Sequence, residues 1–228
     1  MSLRFIVSAF LLTLVLVQPV AAQRADTAPE PEISIKFSPQ HLFINGLHLY
    51  LEKSLKKDSR HGLVFSPRYY EGKTSTVDAF AGRSWDGSDD AKVIGYGAEI
   101  QHRIYATEEP AFSERRTYLA YGMNYHHFEV GFEKNGWRPE TAADGLEYYR
   151  YGLRPFREKI NRVGGVLMVG SQFPALDGHL LFDFHLGVGY NNSSVKTNYS
   201  QVRYDRNAMD FGSTGVYLLT GMKVGIAL

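Results

Sequence analysis

Eight ionisable residues raise the first chemical question. Glu52, Arg68, Glu99, Arg103, Arg162, Asp183, His185 and Lys223 sit at alternate positions in stretches whose intervening residues are mostly apolar. If those stretches are strands closing around a narrow interior, all eight side chains face it. An isolated buried charge costs several kcal/mol or more, so such groups must pair. The chemistry on offer is therefore an interior ion-pair network that fills the lumen and fixes strand register, or a narrow polar path with a proton-linked gate. Side chains just fill an eight-stranded barrel, which favours the filled lumen.

Other reactive residues fall short of a site. His126 and His127 are adjacent, and neighbours on a strand point to opposite faces, so they cannot jointly grip one ion. His102 stands alone on an outward phase, as an interfacial residue. A lipid hydrolase of this shape needs Ser and His together on the outer surface, and no phase brings them together. Glu108, Glu109, Glu114, Arg115 and Arg116 cluster around a solvated turn. There is no cysteine, which excludes disulfides, thiolate metal sites and a thiol nucleophile. No catalytic, cofactor or metal motif is read, and the chain is expected not to be an enzyme.

The elements that would position these charges read as strands throughout. Leu180, Phe182, Phe184, Leu186, Val188 and Tyr190 share one face, opposite Leu181, Asp183, His185, Gly187 and Gly189. The last stretch opposes Val216, Leu218, Thr220, Met222, Val224, Ile226 and Leu228 to Tyr217, Leu219, Gly221, Lys223 and Gly225. Helical spacing is nowhere sustained. One face is large and apolar. The other carries glycine and isolated charges, which suits a cramped interior better than the outer face of a soluble sandwich.

Eight strands are expected: Ile33 to Phe43, Leu47 to Leu55, His61 to Tyr70, Lys92 to Ala106, Arg116 to Phe132, one within Glu147 to Phe173, His179 to Asn191, and Ser213 to Leu228. Asn45-Gly46 predicts a tight hairpin between the first two. Three long outer loops are expected, at Glu71 to Asp90, Glu133 to Gly145 and Asn192 to Phe211. The remaining connections are short. This short–long order predicts a closed antiparallel transmembrane barrel with both termini on the periplasmic side. Trp137, Tyr69, Tyr70, Tyr148, Tyr149 and Tyr151 lie near strand ends, as an interfacial aromatic girdle does; the alternative is a binding surface on the outer loops.

The N-terminus reads as an export signal. Arg4 precedes an apolar run from Phe5 to Val17, and Val20 and Ala22 fit cleavage after Ala22. Residues 23–32 then form a flexible lead-in to a barrel spanning 33–228. Lys plus Arg number 25 and Asp plus Glu 24. Loss of Arg4 leaves a neutral chain, which gives no support for nucleic-acid binding.

Three stretches carry a family resemblance: Ile35 to Pro39 leading to Leu47 to Leu55, Val163 to Gly170, and Leu181 to Tyr190. They resemble the small eight-stranded bacterial outer-membrane barrels, in the class of the OmpA membrane domain and OmpX. More narrowly, they resemble the Bacteroidetes outer membrane beta-barrel proteins grouped as DUF3575-like. The resemblance implies an outer-membrane location, contact with outer-membrane lipid, and insertion by the barrel-assembly machinery. It implies no cofactor. The expected function is non-enzymatic: envelope integrity, or contact with a protein partner through the outer loops. A lipid- or lipopolysaccharide-modifying enzyme and a soluble periplasmic ligand-binding barrel are the alternatives.

Overall fold

The computed structural model describes residues 33–55, 60–82, 91–106, 115–176, 179–199 and 201–228. The expected signal peptide, the lead-in and the turn acids Glu108, Glu109 and Glu114 lie outside these residues. Eight strands form a closed barrel in sequence order, and every neighbouring pair is antiparallel, including the pair that joins the last strand to the first. They are β1 (Ile33–Phe37), β2 (Gly46–Ser54), β3 (His61–Lys73), β4 (Lys92–Tyr105), β5 (Arg116–Thr141), β6 (Glu147–Ala175), β7 (Leu180–Thr197) and β8 (Gly215–Ala227). One short helix, α1 (Ser75–Phe80), follows β3.

Period-two alternation sets the two faces of the wall. Ile94, Ile100, Met123, Leu167, Leu186 and Leu218 are exposed on the outside. Ser34, Lys36, Glu52, Glu99, Arg103, Asn124, Asp183 and Lys223 are buried inside. This inverts the order of a water-soluble sheet protein and matches a barrel whose outer face meets lipid.

The first expected strand is corrected. β1 stops at Phe37, and Pro39–Ile44 forms a 3-10 turn. Pro39 has no N–H to give a ladder and its φ is fixed, so it opens the turn rather than extending the strand. Asn45-Gly46 is accordingly no two-residue hairpin. Asn45 ends the 3-10 turn in the left-handed region, at φ 57°. Its side-chain amide then donates to the Lys73 carbonyl at 2.6 Å.

The short β1 leaves a seam. It pairs with β8 only from Ser34 opposite Ala227 to Phe37 opposite Val224. Beyond that point the Gln40 side-chain amide continues the ladder. It donates to the Met222 carbonyl at 2.8 Å and accepts from the Met222 N–H at 3.3 Å. Higher on the same edge, Val216 and Leu218 are 76% and 81% exposed, the highest values among the wall's large apolar side chains.

The expected long loops are also corrected. Glu133 to Gly145 is mostly strand, because β5 and β6 pair without interruption from Arg116 opposite Gln172 to Thr141 opposite Glu147. A tight turn closes this hairpin, with the Ala142 N–H donating to the Leu146 carbonyl at 3.0 Å and Asp144 accepting from the Leu146 N–H at 3.0 Å. Past Gly131 on β5 and Glu158 on β6, neither strand pairs with its other neighbour among the described residues, so the pair projects as a two-stranded ribbon. Its polar, proline-containing sequence hid the strand. β3 likewise runs on to Lys73, ahead of α1, and β7 to Thr197.

Candidate functional site: the barrel interior and its mouth

Toward the end holding Ile33 and Ala227, inward positions of six strands meet. Lys36 of β1 lies 2.5 Å from Glu52 of β2 and 3.4 Å from Asp183 of β7. Arg103 of β4 lies 2.8 Å from Asp183 and 3.2 Å from Glu52. Gln172 of β6 donates to Glu52 at 3.0 Å, and Tyr118 of β5 donates to Asp183 at 2.6 Å. The Tyr105 hydroxyl also donates to Glu52. Arg116 lies over the Tyr105 ring, 3.7 Å from its centre. Lys36 and Arg103 thus pair with Glu52 and Asp183, with phenols and an amide donating to the same carboxylates. Pairing of this kind offsets the cost of burying charge.

A second group sits at mid-height. Arg68 lies 2.5 Å from Glu99 and donates to Nε2 of His126 at 3.0 Å. Gln101 donates to Glu99, and Asn124 does so at 3.5 Å. His48 bonds the Tyr70 hydroxyl at 2.7 Å. His41, from the 3-10 turn, stacks on His48 with ring centres 3.7 Å apart. The turn therefore helps to fill the lumen as well as to patch the seam.

The eight predicted residues thus fall into two ion-pair groups rather than one. Glu52, Arg103 and Asp183 meet at the lower level, and Arg68 and Glu99 at mid-height. Lys223 lies 4.4 Å from the Tyr50 ring centre, and Arg162 lies over Phe128 at 5.2 Å. His185 is half-buried on β7, one inward position past Asp183. None of these three makes an ion pair within 4 Å among the described contacts. Sequence reasoning missed Lys36, Tyr105, Tyr118 and Gln172. All four share the inward phase of their strands, so that phase was the available signal. The two histidines separate as alternation requires: His126 is buried inside, while His127 faces outward and bonds Asn161 at 2.8 Å.

The far end is closed differently. Val93, Phe128, Val130, Phe132 and Ile160 line an apolar interior, and Tyr204 and Phe211 fold in from the segment after β7. Val77 of α1 joins them. Phe128 and Phe211 have ring centres 5.0 Å apart. Polar contacts hold the inserted segment. Glu158 accepts from the Arg203 and Tyr204 N–H groups at 2.7 and 3.1 Å. The Tyr204 hydroxyl donates to Asp78 at 3.3 Å. Asp210 accepts from the Arg206 and Asn207 N–H groups at 3.1 and 3.0 Å.

The paired charges can fix register and exclude water, and the inserted aromatics can close the mouth. Among the described residues, no group of three or more His, Asp or Glu is placed to hold a metal ion.

No protein-family model and no curated protein matches the chain, so the narrower DUF3575-like likeness is not shown. Among solved structures, the chain is similar to that of CarO from Acinetobacter baumannii. The two share 11% identity at a TM-score of 0.37, over 87% of this chain and 98% of that one. The barrel assignment rests on the chain's own strand pairing: this is a closed, antiparallel, eight-stranded β-barrel.

Proposed function

We propose that the chain is a non-enzymatic integral protein of a bacterial outer membrane. Its lumen is plugged by its own side chains. It serves envelope integrity, or contacts a partner through the parts that project from the outer end. The observation that carries this reading is the inversion of the wall, with paired charges inside and an apolar band outside.

The band has membrane dimensions. From Leu180 to Tyr190 the outward residues of β7 are all apolar or aromatic. At about 3.3 Å per residue and about 40° of tilt, that stretch rises about 25 Å. Tyr69, Tyr96, Tyr125 and Tyr190, all exposed, mark its upper border, as an interfacial girdle does. No described helix is long and apolar enough to cross a membrane. A soluble ligand-binding barrel would leave this whole band in water, far beyond the apolar patch a monomer tolerates. In this orientation both chain ends are periplasmic. The ribbon, α1 and the segment after β7 are outside.

Fractionation of the native cell envelope tests the reading. The protein is expected in the dense outer-membrane fraction, resistant to alkaline carbonate, with a gel mobility that changes on boiling. Release by carbonate would contradict an integral protein. For the non-enzymatic part, a deletion strain is expected to keep its lipid profile; a changed lipid species would contradict it.

A further inference from the structure

Just beyond the tyrosine border the outward face changes sign. Lys73 and Lys92 lie two outward positions past Tyr69 and Tyr96, and are directly opposite each other across β3 and β4. Lys159 and Lys196 are directly opposite across β6 and β7. Arg157 lies one outward position beyond Lys159, on the cross-strand row of Lys92, with Gly131 between them. All five cations are exposed. Three carboxylates share this face: Glu129, 3.2 Å from Lys159 and 3.3 Å from Arg157, Glu71, between Tyr69 and Lys73 on β3, and Glu133, one outward position beyond Gly131 on β5.

Like charges directly opposite on neighbouring strands oppose pairing. Two such pairs occur in this one belt, at the height where lipid headgroups begin. A side chain at Gly131 would meet nothing within 4 Å, so the outward layer has a gap between Lys92 and Arg157 where an anion can approach.

We infer that this belt binds the phosphate groups of the glycolipid in the outer leaflet. The inference rests on the outer-membrane reading given above. Each cation near a charged membrane surface adds about 1 kcal/mol of attraction, so five cations against Glu71, Glu129 and Glu133 leave a net attraction for a polyanionic headgroup. The tyrosines below it would rest against the acyl chains, and the lysines and arginine above them would meet the phosphates.

The test titrates purified, detergent-solubilised protein with lipopolysaccharide, with the same lipopolysaccharide after chemical removal of phosphate, and with phosphatidylglycerol vesicles. Intact lipopolysaccharide is expected to bind tightest, and added salt to weaken it. The triple variant Lys92→Gln/Lys159→Gln/Lys196→Gln is expected to lose about tenfold or more in affinity. Gly131→Glu, which sets a carboxylate in the gap, is expected to lose a similar amount, and Glu129→Gln to gain. Heat-modifiable mobility reports whether each variant is folded; should the triple variant not fold, Gly131→Glu decides. Unchanged affinity in the folded variants would overturn the inference. So would equal binding of the dephosphorylated material or of phosphatidylglycerol. Envelope fractionation of the native protein fails or holds independently of these titrations, so the two readings are separable.

Discussion

The lower and upper halves of this barrel solve one packing problem in opposite ways. Near the start of β1 and the end of β8, inward positions carry Lys36, Glu52, Arg103 and Asp183, and the lumen is filled by ion pairs. Near the ribbon, inward positions carry Phe128, Val130, Phe132 and Ile160, and the lumen is filled by aromatics brought in from the segment after β7. The charges reach across the lumen from the wall, Arg103 of β4 meeting Asp183 of β7 and Glu52 of β2. The aromatics must be delivered by a connection. The lower half is thus fixed by the wall itself, whereas the upper half depends on a segment that can leave without opening the sheet.

The largest effect is expected where one ion-pair partner is removed. Asp183→Ala leaves Arg103 and Lys36 sharing a single carboxylate, and is expected to cost about 3–5 kcal/mol. The shift in denaturant midpoint of the heat-modifiable band measures it. Replacing Arg103 and Asp183 together with Met and Leu leaves the Lys36–Glu52 pair balanced, and is expected to cost less than Asp183→Ala alone. Such strong coupling is the mark of contacting charges. Additive losses would mean that the charges do not act as a unit.

Phe211→Ala probes the other half. It is expected to cost about 3 kcal/mol locally, by opening a cavity among Phe128, Tyr204 and Ile160. The readout is faster proteolysis within residues 201–213 with the barrel's heat-modifiable mobility unchanged. Global unfolding would show that the two halves are one cooperative unit. The smallest effect is expected at the seam. Gln40→Ala removes two hydrogen bonds to Met222, and is expected to cost about 1–2 kcal/mol and to speed amide exchange at Met222. Protection there equal to that of the unaltered protein would mean that Gln40 does not close the edge.

Much of the wall was legible in the sequence because alternation is a local signal. The inward phase of Asp183, Arg103 and Glu52 followed from their apolar neighbours alone. What was not legible were features set by distant partners. Ile33 to Phe43 alternates, so the local pattern extends β1 past the point where Pro39 breaks the ladder. The ribbon reads as a loop in the sequence because, outside the apolar band, neither face of Lys134 to Thr141 needs to be apolar. The closure of the mouth was hidden for a third reason. Tyr204 and Phe211 lie in an irregular segment, and which wall they reach depends on how that segment folds back. The split of the predicted charges into two groups depends on height along the axis, which alternation does not encode.

Planar-bilayer recording tests the central claim most directly, because either filled layer is enough to close the lumen. The account predicts that the purified, inserted barrel gives no steady conductance, and that the Phe211→Ala variant stays silent because the lower ion-pair layer still blocks the path. A reproducible open state in the unaltered protein would contradict the plugged lumen.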